Sequence, residues 1–357
     1  MRAAVGVCKS RPAVWTAAAV GLVVALGTGC PAYADESTGG DQTTTQPDTG
    51  SGQPDTDSGA ESGSGSIGAH IRINQSAPAS SRSTASATSS DASWEPPVCW
   101  YEPMYTPEEY EKFIKGAYGG APGGSPAEDY AKKREKEKYH KGDEGLWWQV
   151  QFRDDNYDKA CPVTTDNWEI WVPPADPQPD PNKVTPEILS ELAFNSTKLP
   201  TPPVELKPRA DRLLVNLGTR VAFKGDLDRV WTTASINYKG VQLAATTVAT
   251  PVALKVDAGT ADADPQSCTY DLVKGKAGYT ADSGAGAGCN VTYLRSSGSG
   301  TYPFKASITW KVTWTDSADP DGPPQQPGLP DGLSTFEQDV TVKEAQAVNR
   351  ASGISHG

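Results

Sequence analysis

The sequence predicts a mainly β protein with a small α+β part, and three observations carry that reading. Runs of alternating apolar and polar residues recur through positions 211–350, separated by short turn-forming clusters, which is the pattern of an antiparallel β-sandwich. Ahead of them, residues 94–175 combine helix-start signals with two further alternating runs and carry six of the ten tryptophans up to Trp171. Before position 94, the stretch 35–93 is poor in large apolar side chains, so a sheet core is expected only downstream of it.

The chain opens with Arg2, Lys9 and Arg11, then an uncharged apolar run at 13–26, then Gly27-Thr28-Gly29-Cys30-Pro31-Ala32-Tyr33-Ala34. This is the layout of a secretory signal peptide over residues 1–34, and the run is shorter than the ~20 residues of a membrane-spanning helix. Ala32 and Ala34 around Tyr33 favour a cut after Ala34, leaving Asp35 first and a secreted product. The alternatives are an uncleaved helix or lipidation at Cys30, for which Leu26 stands one place too early.

Residues 35–93 form a Ser/Thr/Gly/Asp-rich stretch with eight acidic and two basic residues, expected to remain a disordered spacer because so little apolar surface opposes the entropy of ordering. Residues 94–175 read as a small Trp-rich α+β module. Thr106-Pro107 with Glu109 is a capping box leading into Tyr110, Phe113, Ile114 and Ala117 at helical spacing. Ser125-Pro126 starts a second, heavily charged helix, expected to be solvated. Leu146, Trp148, Val150 and Phe152 alternate with Trp147, Gln149, Gln151 and Arg153, and Trp168, Ile170 and Val172 with Asn167, Glu169 and Trp171. Both runs predict half-buried strands. Residues 176–210 are a Pro-rich connector, interrupted by a short helix from Thr185-Pro186 with Ile188, Leu189, Leu192 and Ala193 inward. Residues 211–350 carry about seven strands, the clearest being Ala306, Ile308, Trp310, Val312 and Trp314, and residues 351–357 form a flexible tail.

Past the signal peptide four cysteines remain, an even number in an exported chain, so disulfides are expected. Three connectivities exist; Cys99–Cys161 with Cys268–Cys289 is favoured because each pair falls within one compositional region. No zinc spacing occurs, and no cofactor is expected.

The block from Ala249 through Trp314 resembles the PKD branch of the immunoglobulin-like sandwiches. Val252, Leu254 and Val256 match its first apolar strand, Asp257 and Gly259 its turn, and Tyr293, Gly300-Thr301-Tyr302 and 308–314 its later strands. Val256 replaces the family's tryptophan, and the second Gly-Asp-Gly half is missing. The resemblance implies an Ig/PKD-like sandwich. From Trp94 onward, "CWYEPMYTPEEY", "VTPEILSELAFNSTKLPTPPVEL" and "TYLRSSGSGTYPFKASITWKVTW" also resemble an uncharacterised group of exported actinobacterial proteins, which implies no particular activity.

Catalytic patterns are absent from the sequence. No Gly-x-Ser-x-Gly elbow occurs, and His70, His140 and His356 sit in the spacer, the charged helix and the tail. The net charge of −12 argues against nucleic acid, and no membrane insertion is expected after cleavage. Asp316, Asp319 and Asp321 offer a weak calcium pattern without the closing glutamate. Exposed aromatics are the stronger motif, because a tryptophan on a strand's polar face can stack on a sugar or a peptide. Trp147, Trp171, Trp168 and Tyr101 are therefore the expected contacts. The expected function is a secreted, non-catalytic binding or assembly protein of the cell envelope or extracellular space, with an envelope protein or glycan as partner. The alternatives are a carbohydrate-binding or wall-associated accessory module and an unrecognised hydrolase.

Overall fold

The computed structural model describes residues 61–67, 70–76, 83–153, 161, 163, 167–174, 182–223, 227–276, 278–281 and 290–345. The expected signal peptide with Cys30, the spacer up to residue 60, Cys289 and the tail lie outside them.

The chain enters through strands β1 (Glu61–Ile67), β2 (Ile71–Ser76), β3 (Thr84–Ser86), β4 (Thr88–Ser89) and β5 (Cys99–Tyr105). Helices α1 (Pro107–Tyr118) and α2 (Pro126–Lys136) follow, then β6 (Leu146–Phe152), β7 (Glu169–Val172) and helix α3 (Pro186–Ser196). The rest is strand: β8 (Lys198–Pro200), β9 (Val204–Lys207), β10 (Leu213–Leu214), β11 (Gly218–Phe223), β12 (Val230–Tyr238), β13 (Val241–Asp257) and β14 (Ala263–Asp264). It closes with β15 (Ser267–Gly275), β16 (Gly278–Ala281), β17 (Val291–Tyr293), β18 (Tyr302–Thr315), β19 (Gly332–Val340) and β20 (Val342–Lys343). The fold is mainly β, as the alternation predicts.

The largest sheet runs β1-β2-β12-β13-β18-β19-β4, with β15 and β16 branching from β13. Strand β13 is 17 residues long. Its first half pairs with β12, its second half with β15, and β18 runs along its other edge. The sequence reads as two strands here because Pro251 interrupts the run. Proline lacks the amide of a ladder bond, and the strand absorbs it as a register irregularity between Pro251 and Ala253 without ending. The β12–β13 hairpin turns on Lys239-Gly240, both at positive φ (47° and 83°), the two-residue geometry that matches strand twist.

A second sheet, β14-β17-β11-β9, packs over the β13–β18 half, burying Leu254, Val256, Phe304, Ala306, Ile308 and Trp310 against Leu206, Val221, Val291 and Tyr293. The β13-to-β14 turn uses Gly259 at φ +74°, where a Cβ would lie 2.2 Å from the Pro303 carbonyl oxygen. The Asp257 carboxylate accepts the Gly259 amide at 2.8 Å.

The expected spacer needs correction over its last part. Residues 71–76 form β2, paired with β12 in the large sheet, and Ile71 and Ile73 are buried. Gln75 exchanges two hydrogen bonds with the Lys198 backbone, donating from Nε2 at 2.6 Å and accepting at Oε1 at 2.8 Å. Ser76 Oγ accepts the Trp231 amide at 3.0 Å. The polar side chains of this strand are thus satisfied by protein atoms, which lets a polar segment sit inside a sheet.

Strands β5, β6 and β7 form a separate three-stranded antiparallel sheet. A disulfide joins Cys99, at the start of β5, to Cys161, 62 residues on, as expected. Cross-linking a loop of that length removes about 4 kcal/mol of unfolded-chain entropy in the loop-closure account. Cys268 is likewise disulfide-bonded.

Helix α3 docks as its apolar spacing requires. Thr185 caps it, accepting the Ile188 amide, and Leu189, Leu192, Ala193 and Phe194 are buried against β12 and β13. Thr247 donates to the Ser190 carbonyl and Thr197 to the Thr232 hydroxyl, both at 2.8 Å. The Trp-rich part and the large sheet share one cluster: Trp100, Tyr101, Trp148 and Val150 pack with Ile71, Ile73, Ala234, Ile236 and the inner face of α3. The boundary expected between 175 and 211 is therefore bridged by core.

Candidate binding surface on the three-stranded sheet

All four expected contact residues come from this small sheet or its edge. Pairing places Trp147 opposite Trp171 and Gln149 opposite both Glu102 and Glu169, so these side chains share one face; Tyr101, Val150 and Trp148 with Ile170 share the other.

Helices α1 and α2 cover the Trp147 face. The capping box forms as predicted: Thr106 Oγ1 accepts the Glu109 amide at 3.3 Å and Glu109 accepts the Thr106 amide at 2.8 Å. The same Glu109 carboxylate holds Lys239 at the hairpin tip at 2.5 Å, tying the helix entry to the large sheet. Helix α1 lays Tyr110 flat on Trp147 at 4.0 Å between ring centroids. Helix α2 brings the Arg134 guanidinium to 4.8 Å from the Trp147 ring and 4.7 Å from that of Tyr130. The Trp147 indole N–H donates to the Tyr139 carbonyl at 3.0 Å, and the residue is 1 % exposed. Trp147 is therefore a core residue and not an exposed platform, which corrects the expectation: the polar face of its strand meets helices that bring polar partners.

Those partners converge on Glu169, which is buried. Its carboxylate accepts the Tyr130 hydroxyl at 2.5 Å and the Gln149 amide at 3.2 Å. Tyr110 and Tyr130 hydroxyls bond at 2.9 Å, and Arg134 Nη2 donates to the Glu169 carbonyl at 3.3 Å. Burial pushes the Glu169 carboxyl above the usual carboxylate range, against the pull of the Tyr130 and Gln149 hydrogen bonds and of Arg134. The expectation that the second helix is merely solvated is corrected at Tyr130 and Arg134, its two buried side chains.

After α2 the chain turns through Lys138, Tyr139 and His140, all at positive φ (53°, 53° and 61°). A left-handed conformation costs a residue with a Cβ roughly 1–2 kcal/mol. The turn is held by Tyr139, buried in the helical cluster, and by His140, whose ring stacks on Trp171 at 4.5 Å and 4°. Trp171 is thereby half-buried beneath an imidazole.

Tyr101 is 2 % exposed, so it too is corrected from contact to core. Its hydroxyl donates to the Asn167 carbonyl at 2.6 Å. That bond positions the fourth candidate. Trp168, next in sequence, is 39 % exposed, and its carbonyl accepts the Val150 amide at 3.0 Å. Its ring meets Phe152 edge to face at 5.8 Å, at the end of the sheet where Cys99 pairs with Phe152. The backbone is thus fixed on both sides of an aromatic side chain that reaches solvent.

A second polar cluster was not expected. Glu102 is fully buried, accepting the Trp100 indole N–H at 2.7 Å and the His70 amide at 2.8 Å. The His70 ring stacks on Tyr238 at 3.7 Å, and Tyr238 donates to the Met104 carbonyl at 3.1 Å. Burial, with Lys239 nearby, lowers the His70 pKa. A carboxylate between aromatics on one strand face, Trp100-x-Glu102, is the signal that marks it.

The calcium pattern is used otherwise. Asp321 pairs with Arg229 at 2.6 Å, and Asp319 accepts the Asp321 amide at 2.9 Å within the loop. Asp316 is exposed beside them, and among the described residues no three His, Cys, Asp or Glu side chains are grouped to hold a metal ion. No described helix is long and apolar enough to cross a membrane. The chain matches no family model, no curated protein and no solved structure.

Proposed function

We propose that the chain is a secreted, non-catalytic binding or assembly protein of the cell envelope or extracellular space, and that it meets its ligand at Trp168. The observation that carries this reading is the fixed presentation of that side chain: exposed, backed by Phe152, and anchored through the Asn167 and Trp168 carbonyls. An aromatic ring held in place loses little entropy on contact, which is how interface anchors gain affinity. The Cys99–Cys161 disulfide beside it suits an oxidising compartment. The Asp257–Gly259 turn, and Tyr302 stacked on Tyr293 with its hydroxyl on the Ser296 carbonyl at 3.0 Å, support placing the sandwich near the PKD branch.

The test is retention on isolated cell walls and on a glycan array, parent against Trp168→Ala. Binding should fall at least tenfold in the variant while its melting temperature stays with the parent. Equal retention of the two proteins would sink the reading. Signal confined to glycans would identify the carbohydrate-binding form of the function.

A further inference from the structure

Helix α2 has the construction of a bound ligand. Of its 11 residues only Tyr130 and Arg134 are buried, and both are polar at the tip. Together they occupy one recess in the remainder of the module: the indole face of Trp147, the carboxylate and carbonyl of Glu169, and the Tyr110 hydroxyl. That set suits a guanidinium and a phenol four residues apart on a helix: an aromatic face and a backbone carbonyl for the first, a carboxylate and a hydroxyl for the second. Gly119, Gly120, Gly123 and Gly124 precede the helix, and the left-handed residues 138–140, then Gly142, follow it.

We propose that the recess under α2 is a recognition site for an arginine-bearing helical peptide, and that α2 is its resident, self-blocking occupant. A partner segment carrying Tyr-x-x-x-Arg displaces α2, takes over the contacts of Tyr130 and Arg134, and releases the left-handed turn. The site lies on the opposite sheet face from Trp168, and its fate is independent of the reading given there.

The probe is a synthetic peptide of residues 125–137, titrated into the full exported chain and into its Tyr130→Ala/Arg134→Ala variant. The variant should bind the peptide at least tenfold more tightly than the parent, and a peptide with both residues changed to alanine should bind neither. Equal affinities for parent and variant overturn the proposal. Hydrogen exchange on the unaltered chain covers the case in which the variant does not fold. Amides of α2 should exchange at least 100-fold faster than those of β6, through local opening. Exchange of α2 only on global unfolding overturns the proposal as well.

Discussion

Trp147, in β6, and Trp168, just ahead of β7, are 21 positions apart and differ in exposure, the first buried and the second exposed. Trp147 is covered by Tyr110 on one side and Arg134 on another, so Trp147→Ala removes a filled core position and should cost about 3–5 kcal/mol in a denaturant melt. Sequence alternation could not separate the two. Gln149 and Glu169 mark the Trp147 face as polar, and a polar strand face facing polar helix side chains has the same period as one facing water. A third residue carries a pH signature. Burial, with Glu187 one turn away, raises the Glu191 carboxyl to about 7. The folded chain then binds this proton more tightly than the unfolded chain, so stability declines as pH rises from about 4.5 to about 7. Melts across that range should show the slope in the parent and a flatter profile in Glu191→Gln.

Among the elements, the helices were the most legible. Each begins at a Thr-Pro or Ser-Pro pair whose hydroxyl caps it as predicted, and α3 buries the apolar stripe that its spacing defines. Strands were legible where one face is apolar, as in β18, whose buried residues follow the predicted alternation from Ala306 to Trp314. They were misread where another physical factor intervened. Pro251 looks like a break in the sequence, yet β18 stays paired with β13 on both sides of it, while on the other edge the pairing with β12 ends at Ala249 and that with β15 begins at Ala253. Strand β9, with Leu206 buried, reads as connector in the sequence because prolines crowd its flanks.

For the whole molecule, the largest difference from sequence lies at the entry. Composition over 35–93 is that of a chain unable to fold alone, but β1 to β4 lie within it and pair with strands of the sheets; at β2, β12 supplies the hydrogen bonds and α3 and Trp100 share the burial. A strand completing another strand needs no core of its own, which is why compositional averaging passes over it. Ile71→Ala should therefore destabilise the chain by about 2–5 kcal/mol in equilibrium unfolding, the loss expected of a filled core site, whereas a free spacer would register no change.

The length of β13 has a mechanical consequence. Ladder bonds lie across the strand axis, so tension applied along β13 loads the bonds to β12, β15 and β18 together in shear and cannot open them one at a time. The strand works as a keel that ties β12, β15 and β18 to one axis.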